Sequence, residues 1–347
     1  MKFNLDKIVR KNIQELVPYS SARDEYSGDM AVFMDANENP FNHPYNRYPD
    51  PHQKKLKKQV SKIFGLPSDN IFLGNGSDEG IDLLFRAFCE PGIDNVIGMD
   101  PTYGMYEVCA NIQNVSYRKV PLNPDYSLDA EKILKVINRH TRLIFLCSPN
   151  NPTSNQLEKK QIMKIIKNFS GLVVLDEAYI DFAPEKGLLD DLVVLPNLVI
   201  LRTLSKAWGL ASIRLGMVFA SKDIVEILTK IKYPYNLNKL SQDFALKALT
   251  RHQERQKWIE EIMEEREELA EDLMKFSFVR NVFPSDANFL LVKTTQPKKI
   301  YTFLADKDII VRDRSSMPLC EGCLRITVGT KEENKILLRR LSKFKDE

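Results

Sequence analysis

At 347 residues the chain is long enough to bury a sizeable core and to divide into two domains. Its 50 Lys+Arg against 47 Asp+Glu leave a net charge of +3, which argues against nucleic acid as a partner. With 43% hydrophobic and 28% charged residues the composition is that of an ordinary globular protein, and no run approaches the roughly 18 uncharged apolar residues of a membrane span. The opening Met1-Lys2-Phe3-Asn4-Leu5-Asp6 lacks the apolar centre of a signal peptide, so a cytoplasmic location without membrane contact is expected. Five scattered cysteines, an odd number, argue against a disulfide framework. The lone Cys320-Glu321-Gly322-Cys323 has no second pair to complete a zinc site, and His43, His52, His140 and His252 stand apart, so no metal is expected.

In chain order, the first 25 residues are polar, punctuated by Pro18-Tyr19, and read as an arm docking elsewhere on the molecule. From about 70 to 220 short apolar runs alternate with helical patterns such as 158–169. Leu143-Ile144-Phe145-Leu146-Cys147, Val173-Val174-Leu175, Val199-Ile200-Leu201 and Met217-Val218-Phe219 are apolar at every position, as strands buried on both faces are. This alternation predicts an α/β domain with a mostly parallel sheet. A long charged helix is expected over 239–275, with Trp258, Ile262, Leu269 and Leu273 near one face. Strands around 279–283 and 288–293, a helix over 297–306, two more strands and a closing helix over 331–345 predict a smaller α+β domain. The expected division is 1–41 as the arm and part of the small domain, 42–238 as the large domain, and 239–347 as linking helix and small domain.

Four motifs sit where the large domain's strands should end. Leu73-Gly74-Asn75-Gly76-Ser77-Asp78-Glu79-Gly80 joins a strand to a helix whose free N–H groups suit a phosphate. It also nearly matches a dinucleotide fingerprint, so a nicotinamide enzyme is a competing reading. Cys147-Ser148-Pro149-Asn150-Asn151-Pro152-Thr153 holds asparagines among prolines just past a strand. Val173-Val174-Leu175-Asp176-Glu177 has the look of a nucleotide-hydrolase strand, but no G-x-x-x-x-G-K-[ST] accompanies it. Its Asp176 can pair with a protonated ring nitrogen, and Tyr179, three residues on, can reach a ring hydroxyl. Finally, Thr203-Leu204-Ser205-Lys206-Ala207-Trp208-Gly209-Leu210-Ala211-Ser212-Ile213-Arg214 supplies an amine able to condense with an aldehyde, and Ser205 and Arg214 to hold a phosphate.

Together these runs resemble the pyridoxal-phosphate aminotransferases of fold type I. The resemblance narrows to the histidinol-phosphate aminotransferases at Pro18-Tyr19-Ser20-Ser21-Ala22-Arg23, Asp35-Ala36-Asn37-Glu38-Asn39-Pro40, Arg47-Tyr48-Pro49-Asp50 and Leu324-Arg325-Ile326-Thr327-Val328-Gly329-Thr330. It implies a fold type I large domain and pyridoxal 5'-phosphate as cofactor. It further implies Lys206 as the lysine that bonds the cofactor and shuttles protons, and Asp176 on the pyridine nitrogen. Asn151 and Tyr179 would meet the ring hydroxyl and Tyr103 would stack on the ring. The backbone around Ser77 and Asp78, with Ser205 and Arg214, would hold the phosphate. Tyr48 would reach that phosphate from a neighbouring subunit, which implies a homodimer. Tyr19, Asn37, Arg312 and Arg325 would receive the substrate. Guanidinium groups suit a site that must take histidinol phosphate and then glutamate or 2-oxoglutarate. The implied activity is transamination between histidinol phosphate and 2-oxoglutarate, with aromatic transamination or decarboxylation of threonine phosphate as alternatives. One departure is Phe41-Asn42-His43-Pro44-Tyr45-Asn46, shorter than the family pattern, which has a glycine near position 42.

Overall fold

The runs that are apolar at every position form strands because helices cover the sheet on both sides. In this computed structural model, which describes residues 3–20 and 32–345, seven strands make the larger sheet. They are β1 (Ile71–Asn75), β2 (Asn95–Asp100), β3 (Ser116–Pro121), β4 (Thr141–Cys147), β5 (Leu172–Asp176), β6 (Leu198–Thr203) and β7 (Leu215–Phe219). Their order is β1-β7-β6-β5-β4-β2-β3. Strands β3, β2, β4, β5 and β6 pair in parallel, whereas β7 runs antiparallel to both β6 and β1. The side chains of Leu143, Ile144, Phe145, Leu172, Val173, Leu198 and Val199 are wholly buried. Truncating one such Leu or Ile to Ala would cost about 2–5 kcal/mol.

This topology decides where a ligand can sit. The carboxyl ends of β1, β4, β5 and β6 share one edge of the sheet, and β7, being reversed, begins there. The crevice beyond those ends is the ordinary ligand position in an open α/β sheet. The nicotinamide reading fails at the same point. A dinucleotide fold needs the glycine-rich turn within a parallel β-α-β unit, but among the described residues β1 is an edge strand paired with the antiparallel β7 alone.

The second sheet comprises β8 (Val279–Val282), β9 (Phe289–Thr294), β10 (Arg312–Asp313) and β11 (Cys323–Thr327), all antiparallel in the order β10-β11-β9-β8. Its own core gathers Leu269, Leu290, Val292, Leu304, Leu324 and Leu337 beneath helices His252–Met274, Pro297–Ala305 and Lys331–Leu341. The last helix opens on a capping box, Thr330 with Glu333, and ends at Leu341, short of the expected 345.

Two further expectations change. The single helix over 239–275 is two, Lys239–Ala248 and His252–Met274. At the break Thr250 Oγ1 donates to the Lys247 carbonyl at 2.7 Å, a side-chain bond that competes with helix continuation. Ala245 and Leu249 pack into the larger core, while Leu269 and Leu273 pack into the smaller one. The described part of the N-terminal arm joins the larger body. Ile8 and Val9 enter its core, and Arg10 donates to Glu90 at 3.0 Å.

Candidate active site

Ser77, Asp78, Tyr103, Asn151, Asp176, Tyr179, Ser205, Lys206 and Arg214 all line one cavity of about 160 Å³ at the carboxyl edge of the larger sheet. The antiparallel β6–β7 pair explains how the lysine and arginine meet. The chain leaves β6 at Thr203 and returns into β7 at Leu215, so Lys206 and Arg214 flank one connection. Arg214 takes up a left-handed conformation (φ 52°), and its guanidinium donates to Asp78 at 3.3 Å. Tyr103 donates to the other oxygen of Asp78 at 3.2 Å.

Gly76 caps the helix Ser77–Phe88 at φ 78°, and no side chain satisfies that helix's first N–H groups. A Cβ at Gly76 would lie 2.6 Å from the Arg214 guanidinium. Only glycine therefore lets the backbone turn there with the arginine in place. Uncapped N–H groups beside a guanidinium make an anion cradle.

Asp176 closes β5 with 3% of its surface exposed. One carboxylate oxygen accepts the Ala178 N–H at 3.0 Å, and the other accepts the Tyr106 hydroxyl at 2.6 Å. Burial pushes its carboxyl up to about 6, and these two hydrogen bonds pull against that rise. Tyr106 is fully buried, stacked on Phe145 and edge-on to Tyr103. It is a functional neighbour that sequence reasoning missed. Its signal was the spacing of Thr102-Tyr103-Gly104-Met105-Tyr106, which sets two tyrosines three apart at a helix start.

Glu177 faces the other way. It is buried, takes two donors from Arg202 at 2.7 and 2.9 Å, and accepts the Leu188 N–H at 2.7 Å. The Asp-Glu pair thus has one carboxylate for the cavity and one holding neighbouring strands, which disposes of the nucleotide-hydrolase look.

Burial, with Arg325 adding to it, holds the Lys206 amine below the ordinary lysine range, so more of it is neutral and nucleophilic. Its Nζ lies 5.4 Å from the centre of the Tyr179 ring. The smaller sheet reaches in through Arg325, which donates to Asn151 Oδ1 at 2.6 Å and packs over Phe289. With its oxygen engaged, Asn151 is left with an amide donor for the cavity.

These groups fit a phosphorylated aromatic aldehyde. The helix N-terminus and Arg214 suit the phosphate, and Tyr103 a ring face. Asp176 suits a protonated ring nitrogen, Asn151 and Tyr179 a ring hydroxyl, and Lys206 the aldehyde.

Other expected residues lie elsewhere within the chain. Tyr19 is 72% exposed and lines a separate surface cavity with Arg86 and Tyr233. Arg86 is nine residues beyond Ser77 on one helix, roughly 13 Å along its axis from the cradle. Ser21-Ala22-Arg23 of the same motif lie outside the described residues. Asn37 and Tyr48 share an open cavity of about 550 Å³ with Tyr235 and Leu240, and Tyr48 stacks on Tyr235 at 4.5 Å. Asn42, in the short 41–46 segment, adopts φ 66°, a conformation asparagine tolerates. Arg312 is exposed and stands opposite Arg325 across β10 and β11. Arg314, two residues on, was also missed, although the alternating Arg312-Asp313-Arg314 puts both arginines on one strand face.

Comparison with known proteins bears directly on this geometry. The family described as Aminotransferase class I and II matches residues 24–341. A histidinol-phosphate aminotransferase of Bacteroides thetaiotaomicron is 55% identical over 341 residues, covering 98% of this chain and 99% of that protein. The crystal structure of the histidinol-phosphate aminotransferase from Clostridium acetobutylicum aligns with a TM-score of 0.79 at 25% identity, over 86% of this chain and 90% of that one. A Sinorhizobium meliloti structure, described as a histidinol-phosphate aminotransferase in complex with pyridoxal-5'-phosphate, shares the fold at a TM-score of 0.77 and 23% identity. It covers 84% of this chain and 81% of its own.

Proposed function

The chain belongs to the class I and II aminotransferases and, among them, to the histidinol-phosphate aminotransferases. From that membership we propose that it moves the amino group between histidinol phosphate and 2-oxoglutarate, giving imidazole-acetol phosphate and glutamate. The observation that carries the reading is the convergence of Lys206 and Asp176 on one buried cavity, with Arg325 tied to its rim through Asn151. Pyridoxal 5'-phosphate, when bound, supplies the electron sink that lets a proton leave the substrate's α-carbon. The backbone around Ser77 and Asp78, with Ser205 and Arg214, would hold its phosphate, Tyr103 would cover its ring, and Asn151 and Tyr179 would meet its hydroxyl. Asp176, fixed by Tyr106 and the Ala178 N–H, would keep the ring nitrogen protonated. Lys206 would bond the cofactor's aldehyde, and its Nζ, once free, would carry protons to and from the reacting carbons. Arg325 and Arg312 take the anionic ends of the two donors in turn. Using one site twice requires ping-pong kinetics.

We assign the working unit as a cytoplasmic homodimer. Phe41, Tyr45, Tyr48, Leu240 and Phe244 are large apolar residues more than half exposed, and several ring the cavity that holds Tyr48. A Tyr48 placed away from its own chain's Lys206 is suited to serve a partner's cofactor. Five free, buried cysteines accord with a reducing compartment.

The test is a half-reaction titration of the cofactor-loaded protein, followed by cofactor absorbance. Histidinol phosphate should bleach it at low concentration and yield imidazole-acetol phosphate. Bleaching by tyrosine alone would move the enzyme to aromatic substrates, and carbon dioxide release from threonine phosphate would make it a decarboxylase. Lys206→Ala should lower turnover by about 10²–10⁴-fold or more; normal multiple turnover in that variant would sink the mechanism.

A further inference from the structure

The anion receptor contains one more cation than the assigned function uses. Arg312 and Arg325 are directly opposite one another on β10 and β11, and Arg314 follows on the same face, its N–H bonded to the Cys323 carbonyl at 3.0 Å. Like charges opposite one another on a sheet repel. None of the three arginines has an ion-pair partner among the described residues. The Arg314 Nε is buried with no hydrogen-bond partner. Burial, with Arg325 and Arg312 adding to it, holds the Arg314 guanidinium below its usual range, and Arg325 on the same face reaches Asn151 at the rim of the Lys206 cavity. Arg314 therefore belongs to the side of the smaller sheet that faces the Lys206 cavity. Three guanidiniums held together against repulsion, one with an idle buried donor, are matched by a ligand with at least two negative charges and several acceptor oxygens.

We propose that Arg314 is a specificity-determining residue that tunes this receptor for a phosphate monoester over a carboxylate. The inference rests on the assigned transamination and adds the group that discriminates between its two amine donors. A monoester carries close to two charges at neutral pH, whereas the side-chain carboxylate of glutamate carries one. Arg325, anchored on Asn151, serves both donors, and the third guanidinium earns its place with the dianion.

The experiment compares cofactor-loaded wild type, Arg314→Gln and Arg314→Lys. Half-reactions with histidinol phosphate and with glutamate are followed by cofactor absorbance, and inorganic phosphate binding to the same holoenzymes is measured by calorimetry. Arg314→Gln should raise the half-saturating concentration of histidinol phosphate by about 10- to 100-fold, as expected for loss of a charged hydrogen bond. The penalty on histidinol phosphate should exceed that on glutamate roughly tenfold, and phosphate affinity should fall with it. Arg314→Lys, which keeps the charge and loses the fork, should fall between. Equal penalties on both donors, with phosphate affinity unchanged, would overturn the proposal. If Arg314→Gln melts below the assay temperature, the lysine variant decides, and an unaltered donor ratio there overturns it equally. Failure of the wild type to convert histidinol phosphate would instead remove the assigned substrate, and the phosphate titration would still judge Arg314.

Discussion

Asp176 ends β5 almost wholly buried, and among the described residues no cationic side chain bonds its carboxylate. Its carboxyl titrates at about 6 rather than the ordinary 3.8, so the native state holds this proton more tightly than the unfolded chain does. Stability of the cofactor-free protein is therefore lost as pH rises from ~4 to ~6, by about 3 kcal/mol from this group, and stays lost above. Asp176→Asn should abolish that contribution, and the cofactor-free variant should melt a few degrees above wild type at pH 7 and level with it near pH 4. Tyr106 works against the burial penalty by donating to the ionised form. Tyr106→Phe should raise the acid limb of the pH dependence of cofactor binding by about one unit, with little effect on the limb set by Lys206. A merely structural Tyr106 would lower stability and leave that limb unmoved. Asp176 was legible in sequence because a strand-end aspartate has few roles. Tyr106 was not, because an apolar helix face offers any tyrosine a place in the core.

Among the elements, the turn from β1 into its helix is constrained by its backbone and its neighbour together. Gly76 combines φ 78° with ψ 165°, a region closed to residues with a side chain, and any Cβ there strikes Arg214. Gly76→Ala should cost about 1–3 kcal/mol in stability. It should also weaken cofactor affinity more than an equally destabilising core substitution, since the arginine must swing off Asp78; a titration of cofactor-free protein checks this. The strands of the larger sheet and the glycine turn could be read from the chain because their signals are local and short in range. The break at Leu249–Arg251 could not, as no proline or glycine marks it. There Trp208 meets His252 edge-on, and Arg255 packs over Trp208 while bonding Asp181, so tertiary contacts fix where the second helix begins.

At the scale of the whole molecule the two sheets meet around the site. The Asp286 N–H donates to the Ser154 carbonyl at 2.8 Å, Asp286 accepts the Gln156 N–H at 2.7 Å, and Arg266 donates to the Phe182 carbonyl at 3.4 Å. We place the division of the chain near the start of helix His252–Met274, since the preceding helix packs with the larger core. The two-body plan was visible in the change of pattern after residue 240. The positions of Tyr19 and Tyr48 were not, since both lie in irregular segments that carry no helical or strand period.

The bond from Arg325 to Asn151 spans 174 residues of sequence. The cradle joins Asp78 to Arg214 over 136 residues, but within the larger body alone, whereas the receptor also needs the two bodies to dock. The chain leaving the ribosome therefore carries a finished cradle at Gly76 and Arg214 before it possesses a substrate receptor. In refolding, uptake of the cofactor's phosphate should precede recovery of donor discrimination, with the interval between them timing the docking of the second sheet. Two spectroscopic clocks in one molecule would then record the order in which its parts are assembled.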